Sequence, residues 1–190
     1  MRITGGRARG IPLLLPKGDR VRPAMDRMRQ AVFSSLGAAV DGAVFVDLFA
    51  GSGSYGLEAV SRGAASGAFV EQDRKALACL NANLTAVCKS AGRDSAPFRL
   101  VGADAFIWRP AEGVQASLLF VDPPYRLIEA NTERLFAAFD ALLSSEPGAR
   151  VVFEMPAELE LQQSGWSIVK RLGGGGAGSA VACVYARTGG

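Results

Sequence analysis

The stretch VFVDLFAGSGSYGLE, residues 44–58, decides the fold that this chain is expected to adopt. Its first six residues are apolar apart from one acid, which is typical of a buried strand in a parallel sheet. Three glycines follow in the pattern Gly51-x-Gly53-x-x-Gly56, and a helical pattern starts at Leu57. A strand, a glycine-rich turn and a helix N-terminus predict a nucleotide pocket, because backbone N–H groups there approach the ligand closely.

The acid inside this strand makes the prediction more specific. Asp47 lies four residues before Gly51, where its carboxylate would oppose a pyrophosphate. It would instead suit a ligand that carries a cationic amino acid group, which argues against a dinucleotide. The glycine pattern alone also fits a tight strand-to-helix turn that binds nothing, and this alternative stays open.

Composition limits the class of protein and the chemistry. A chain of 190 residues with 49% apolar and 21% charged residues predicts one soluble globular domain. No apolar stretch is long enough to cross a membrane, and none has the form of a signal peptide. The three cysteines include no Cys-x-x-Cys pair, so we expect reduced thiols in the cytoplasm rather than disulfides or a zinc site. The chain has no histidine, which excludes Ser-His-Asp and Cys-His catalysis. We therefore expect chemistry that depends on a cofactor and on positioning, with no metal.

Positive charge is concentrated near the N-terminus. Residues 1–30 contain eight Lys or Arg and two acids, a net charge of +6, while the remaining residues carry −3 of the total of +3. A basic segment on a mildly acidic body indicates an anionic macromolecule such as nucleic acid. A solvated N-terminal face with no partner is the equally weighted alternative.

Alternating apolar segments predict an α/β fold. Helices are predicted from Pro23 to a stop at Gly37, after the glycine turn, at 74–90, at 128–144 and, as a short one, near 157–163. Strands are predicted at 44–49, 67–71, 98–101, 117–121, 150–153, 166–172 and 180–187. The alternation predicts a doubly wound sheet, and the last two strands, which have no helix between them, predict an antiparallel addition at its end.

Four acids lie within or just after predicted strands, at the edge where such sheets bind ligands: Asp47, Glu71, Asp104 and Asp122. Glu71 follows Gly51 by 20 residues, the interval at which an acid reaches ribose hydroxyls. Asp104 would accept from an adenine amino group. Considered alone, Glu71 is equally explained as a surface acid at a strand end, and Asp104 as the cap of a helix. Because the acids occur at successive strand ends, together they favour a binding site for an adenosine group.

The most specific signal is Asp122-Pro123-Pro124-Tyr125, directly after the fourth predicted strand. Two prolines fix the backbone and remove two N–H donors, so carbonyl groups and the Asp122 carboxylate are free to accept from an exocyclic amine. Tyr125 offers a face for stacking a base. Accepting the amine protons aims the nitrogen lone pair at an electrophilic methyl group, so positioning supplies much of the rate. A proline-stiffened turn without function is the alternative.

These motifs resemble those of class I S-adenosylmethionine-dependent methyltransferases with a (D/N)PP(Y/F) motif. The chain is similar in particular to the bacterial RsmD-type family, which methylates the N2 amino group of a guanine in 16S ribosomal RNA. The matching segments are residues 1–6, 9–10, 22–33, 47–53, 56–59, 61–64, 69–73 and 122–125. Ala24 and Gln30 depart from the threonine and glutamate usual in that family, and an alanine at position 24 has no side-chain oxygen that could cap the helix.

The resemblance implies a fold, a division of the chain and a set of roles. The fold would be a Rossmann-like sheet of seven strands with the last antiparallel, with a basic N-terminal arm at 1–22 and the methyltransferase domain at 23–190. The guanine would lie against Asp122, Pro123, Pro124 and Tyr125. The S-adenosylmethionine pocket would include Asp47, Ala50, Gly51, Gly53, Glu71 and Asp104. Ribosomal RNA, naked or in the assembled small subunit, would contact Arg2, Arg7, Arg9 and Arg22.

Other functions compete with this interpretation. A DNA adenine-N6 or cytosine-N4 methyltransferase shares the Asp122–Tyr125 motif, but such enzymes usually need a target-recognition region for which 190 residues leave little room. An NAD-dependent oxidoreductase fits the glycines but not Asp47 or the lack of histidine. A catalytically silent RNA-binding module does not need the intact motif. Nothing in the sequence requires more than a monomer, which is our expectation.

Overall fold

The computed structural model describes residues 1–16, 23–111, 115–174 and 178–188. Within these residues, the α-helices are α1 (Pro23–Leu36), α2 (Ser54–Ser61), α3 (Arg74–Ala91) and α4 (Thr132–Leu142). The strands are β1 (Val44–Leu48), β2 (Ser66–Val70), β3 (Phe98–Val101), β4 (Leu118–Val121), β5 (Arg150–Pro156), β6 (Trp166–Gly173) and β7 (Ala180–Arg187). Short 3-10 helices lie at Gly37–Val40, Tyr125–Leu127 and Glu129–Asn131.

One mixed sheet of seven strands forms the centre of the described structure, in the order β3-β2-β1-β4-β5-β7-β6. Strands β1 to β5 are parallel to one another, and β7 runs antiparallel to both β5 and β6. The chain leaves β1 in one direction to β2 and β3 and returns to the other side of β1 as β4. Such a reversal opens a crevice at the C-terminal ends of the strands, where ligands bind. The predicted doubly wound sheet with an antiparallel last strand is confirmed.

Side chains alternate between two apolar layers, as expected for a sheet covered on both faces. Phe45 belongs to the layer under α1, α2 and α3, and its neighbour Val46 belongs to the layer under α4. Phe136 and Phe139 of α4 fill the second layer. Among the described helices, none is both long and apolar enough to cross a bilayer.

The first 13 residues fold as a small hairpin that packs on this core. Arg2 and Pro12 form an antiparallel bridge, and the N–H of Ile3 donates to the carbonyl of Ile11 at 2.9 Å. Ile3, Ala8 and Leu13 are buried in the same apolar layer as α1 and α2. This part of the N-terminal segment is therefore continuous with the body. A separate arm over residues 1–22 stays a prediction, and residues 17–22 lie outside the described residues.

A buried ionic cluster centred on Glu58 fastens the hairpin and α1 to α2. Glu58 is fully buried and accepts from both the N–H and the hydroxyl of Thr4, each at 2.8 Å. The guanidinium groups of Arg62 and Arg29 donate to the same carboxylate at 2.8 and 3.3 Å. Arg29, itself buried, also pairs with Asp26 at 2.9 Å. One carboxylate thus holds three parts of the chain together.

A second buried carboxylate joins β1 to the helix that follows it. Asp47 is 2% exposed, and its Oδ2 accepts from the N–H of Gly56 at 2.8 Å. Burial raises the pKa of Asp47 from 3.8 to about 7, although the Gly56 hydrogen bond opposes the shift. The first turn of α2 is therefore tied to β1 through this side chain.

Two helix predictions need correction. The predicted helix at 128–144 is α4, which starts only at Thr132 after two 3-10 segments. The short helix predicted near 157–163 is wrong: this segment has turns and irregular backbone. Its carbonyl groups bond to side chains of the terminal strands instead of to helical N–H groups. Arg171 donates to the carbonyls of Ala157 and Leu159, and the Tyr185 hydroxyl donates to the carbonyl of Leu161.

Glu58→Ala is expected to lower the free energy of unfolding by roughly 3–5 kcal/mol, because it removes one of the two carboxylates that pair with the buried Arg29 and leaves the N–H of Thr4 without its acceptor. Urea unfolding followed by circular dichroism measures this change. Glu146→Ala, at an exposed position, is the matched control and should change the free energy by less than about 0.5 kcal/mol. A loss below about 1 kcal/mol for Glu58→Ala would contradict the central role of this carboxylate.

Asp47→Asn is expected to change how stability depends on pH. A folded-state pKa raised to about 7 means that Asp47 contributes stability fully below about pH 4, and that this contribution is lost as pH rises through 7. Asparagine does not ionise, yet its carbonyl can still accept from the Gly56 N–H. Relative to the original chain, the variant should gain up to about 4 kcal/mol between about pH 4 and pH 8. Urea unfolding across this range tests it, and a constant difference would contradict the buried ionisation.

Candidate active site

A cavity of about 940 Å³ opens at the C-terminal edge of the sheet. Residues at the ends of β1, β2, β4 and β5 line it, among them Phe49, Glu71, Asp122 and Glu154. Its volume suits a small organic ligand. The cavity lies where the strand order reverses, which is the place that the sequence predicts for a ligand site.

The glycine turn after β1 borders the cavity at one position. Gly51 lines it with a φ of 55°, and a Cβ atom added there would meet no atom within 4 Å. Gly53 and Gly56 serve packing instead. An added Cβ would lie 2.2 Å from Leu80 at Gly53 and 2.3 Å from Phe69 at Gly56. Gly51 is therefore the position at which the backbone of this turn can approach a ligand.

Two other residues predicted for the pocket lie in the wall behind this turn. Asp47 bonds to the N–H of Gly56, as described above, and is not among the residues that line the cavity. Ala50 is 8% exposed and its N–H donates to the carbonyl of Val70 at 3.0 Å. With Gly53, these residues shape the turn, and a direct contact from them to a cofactor stays a prediction.

Glu71, just after β2, is the predicted pocket acid that reaches the cavity. Its Oε2 accepts from the N–H of Gly51 at 2.8 Å and its Oε1 from the N–H of Asp73 at 2.7 Å. The carboxylate thus bridges the glycine turn and the start of α3. Asp104 follows β3, and its Oδ1 accepts from the N–H of Phe106 at 2.8 Å. Asp104 does not line the cavity, although its neighbours Ala103 and Ala105 do.

All four residues of the Asp122–Tyr125 motif line the cavity. Tyr125 begins a 3-10 helix and is 41% exposed, so a base has access to this side chain. Asp122 is half-buried, and its pKa is raised well above the ordinary value by burial and by the charges of Glu154 and Asp47. The structure therefore brings Asp122 together with Gly51 and Glu71 in one cavity.

Glu154 is a cavity residue to which sequence analysis gives no role. It lies in β5, one residue after Phe153, which pairs with Val121. Its Oε2 accepts from the hydroxyl of Tyr55 at 2.8 Å, and burial raises its pKa. The signal that applies to Glu71 and Asp122, an acid at the end of a parallel strand, is present here as well.

Helix α1 and one strained residue complete the cavity wall. Met25, Met28 and Ala31 of α1 line the cavity, although the sequence pattern indicates only an apolar stripe there. Phe49 has a φ of 60°, which is rare for a bulky side chain, and its ring packs edge-on against Phe106 at a centroid distance of 5.3 Å. An apolar pattern does not distinguish a ligand wall from an ordinary core, so sequence analysis missed these residues.

Three of the four arginines predicted to bind RNA are among the described residues, and these three lie away from the cavity. Arg2, Arg7 and Arg9 are exposed, and the N–H of Arg7 donates to the carbonyl of Ser61 at 2.8 Å. Ser61 ends α2, and neither it nor any of these three arginines lines the cavity. Arg22 is outside the described residues, and the RNA contact of all four stays a prediction. No group of three metal-ligating side chains occurs in the described ranges.

The comparisons with known proteins agree with this architecture. The protein-family model described as "Conserved hypothetical protein 95" matches residues 1–182. The "Ribosomal RNA small subunit methyltransferase D" of Escherichia coli (strain K12) is 38% identical over 126 residues, which are 66% of this chain and 61% of the relative. The match therefore spans less than two thirds of that relative.

Two further relatives match over most of their length. The "Putative rRNA methyltransferase YlbH" of Bacillus subtilis is 30% identical over 164 residues, 86% of this chain and 87% of the relative. The solved structure "Putative methyltransferase yhhF from Escherichia coli" superposes with a TM-score of 0.81 at 31% identity, over 98% of this chain and 97% of that one. The chain therefore belongs to the RsmD-like family that the model "Conserved hypothetical protein 95" describes.

Proposed function

We propose that this protein transfers a methyl group from S-adenosylmethionine to the N2 amino group of a guanine in 16S ribosomal RNA. The observation that carries the proposal is the Asp122–Tyr125 motif at the end of β4, in the cavity that Gly51 and Glu71 also line. The names of the curated relatives support ribosomal RNA as the substrate class. The choice of the guanine N2 atom as the methyl acceptor is based on the family resemblance and is the more specific part of the proposal.

The residues present fit the proposed cofactor. The Glu71 carboxylate lies at the end of β2 with both oxygens facing backbone N–H groups of the adjoining turns, a position from which it also reaches ribose hydroxyls. The open space at Gly51 allows close approach of the ligand to the backbone. Asp47, Ala50, Gly53 and Asp104 would complete the pocket from behind. S-adenosylmethionine supplies an electrophilic methyl group when it is bound.

The Asp122–Tyr125 motif would position the acceptor amine. Asp122 and the carbonyl of Pro123 accept from the two amine hydrogens, which turns the nitrogen lone pair toward the methyl group. The nitrogen loses one proton after methylation, and Asp122 takes it. Because burial and neighbouring acids raise the pKa of Asp122, this carboxylate is a better base than an ordinary aspartate. Tyr125 holds the base by stacking.

The proposed partner is ribosomal RNA, naked or in the assembled small subunit, in the cytoplasm, and the protein would act as a monomer. The exposed Arg2, Arg7 and Arg9, with Arg22, would contact phosphates beyond the cavity. Arg27, an exposed cation of α1 that lines the cavity, would contact phosphates near the target base.

The direct test is a methyl-transfer assay with labelled S-adenosylmethionine. Unmodified small subunits, naked 16S RNA and duplex DNA are the substrates, and mass spectrometry of nucleosides identifies the product. We expect N2-methylguanosine from a ribosomal substrate alone. Methylated adenine or cytosine from DNA would instead support the competing DNA methyltransferase.

Asp122→Ala is expected to reduce methyl transfer by about 100-fold or more, because it removes the acceptor that orients the amine. Cofactor affinity should stay within about threefold, since the motif is assigned to the base. Turnover assays and calorimetry separate the two effects. Asp122→Asn, which keeps a carbonyl acceptor, is the matched control and should retain more activity than the alanine variant. Full turnover in Asp122→Ala would exclude this role.

Glu71→Ala is expected to weaken S-adenosylmethionine binding by about tenfold or more, because the ribose contact and the bridge to the Gly51 N–H are both lost. Isothermal titration calorimetry measures the affinity. Glu71→Gln keeps one oxygen acceptor and should show a smaller loss. Equal affinities for Glu71→Ala and the original chain would count against a cofactor contact at this residue.

A further inference from the structure

Asp122 and Glu154 stand side by side at the edge of the sheet. Val121 and Phe153 are paired in the parallel register of β4 and β5, so the next residue on each strand lies one strand spacing apart, about 4.8 Å. Both side chains line the cavity. The charge of Glu154 contributes to the raised pKa of Asp122, which is consistent with close approach. The cavity therefore contains two adjacent carboxyl groups, of which the proposed reaction uses only one.

Tyr55 fixes the direction of the second carboxyl group. Its hydroxyl donates to Oε2 of Glu154 at 2.8 Å, while its ring is buried and stacked on Phe120 at a centroid distance of 5.6 Å. Glu154 Oε1 has no hydrogen-bond partner in the part of the chain that the structure describes. Burial raises the pKa of Glu154, and the Tyr55 hydrogen bond and the nearby charge of Arg29 oppose that shift. An oriented acceptor is thus available beside Asp122.

Nucleobases differ in the group next to the exocyclic amine. In guanine, the N2 amine lies beside the N1–H, so the edge presents two adjacent donors. In adenine and cytosine, the amine lies beside a ring nitrogen that has a lone pair and no hydrogen. An ionised carboxylate only accepts hydrogen bonds. A carboxylate beside the group that holds the amine therefore matches the N1–H of guanine and is repelled by the ring-nitrogen lone pair of adenine or cytosine.

We infer that Glu154 is the specificity residue of this site and accepts the N1–H of the target guanine through Oε1, while Asp122 accepts from the N2 amine. The inference rests on the proposed function and deepens it, because the Asp122–Tyr125 motif by itself does not distinguish among guanine, adenine and cytosine amines. Tyr55 is the positioning residue for Glu154. A base without the N1–H would place a ring-nitrogen lone pair against the half-buried carboxylate of Glu154. The site would reject such a base, because the carboxylate would lose its hydrogen-bond donor.

The test compares guanine with 2-aminopurine at the methylated position of an RNA fragment. Both bases carry the C2 amine, but N1 of 2-aminopurine has a lone pair instead of a hydrogen. The original chain should prefer guanine in kcat/KM by about 100-fold or more. Glu154→Gln, whose amide both accepts and donates, should reduce this preference to below about tenfold, and Tyr55→Phe should give an intermediate ratio.

Controls separate this inference from the proposed function. Cofactor affinity of Glu154→Gln should match that of the original chain, and Glu146→Gln, an exposed position, should keep the full preference. An unchanged preference in Glu154→Gln with intact cofactor binding would overturn the role of Glu154, as would equal methylation of both bases by the original chain. Neither result would affect the methyltransferase proposal. Failure of the original chain to methylate any ribosomal guanine would overturn both.

Discussion

Two backbone N–H groups, that of Gly51 in the glycine turn and that of Gly56 in the first turn of α2, donate to carboxylates at β1 and β2, and the site depends on this arrangement. Gly56 binds Asp47 of β1 and Gly51 binds Glu71 after β2, each at 2.8 Å. These hydrogen bonds fix the turn against the sheet and offset part of the cost of keeping negative charge at a buried edge. A turn without these donors would leave Asp47 both buried and unpaired.

The opposite wall of the cavity comes from a part of the chain far away in sequence. Helix α1 is held in place by Arg29, which reaches Glu58 of α2 and Asp26 of its own helix. Thr4 of the hairpin contacts the same Glu58 carboxylate. The N-terminal segment thus determines where Met25 and Met28 lie relative to the sheet. Part of the N-terminal positive charge, which the sequence suggests for RNA binding, therefore stabilises the fold instead, since Arg29 is buried.

The sequence allowed accurate prediction of the sheet but only part of the site. Apolar runs predict the positions of all seven described strands, and they are clearest in central strands such as β4, which is buried on both faces. Asp122 and Glu71 line the cavity as expected because strand-end acids of parallel neighbours converge on one edge. The segment at 157–163 was mispredicted because Arg171 and Tyr185, distant in sequence, take its carbonyl groups. Glu154 carries the same strand-end signal and was still given no role, and the hydrogen bond that orients it comes from Tyr55, 99 residues away, which the sequence does not reveal.

The position of β7 has a consequence for how the chain is made. Strand β7 inserts between β5 and β6, so the outer edge of β5 has no partner until residues 180–187 have left the ribosome. A nascent chain would expose Val151 and Phe153 beside an unpaired edge during that interval, a state that favours strand pairing with other chains. The pairing of β5 with β7 joins residues about 30 positions apart, whereas β6 and β7 form a local hairpin. We therefore expect the hairpin to form first and to dock as a unit.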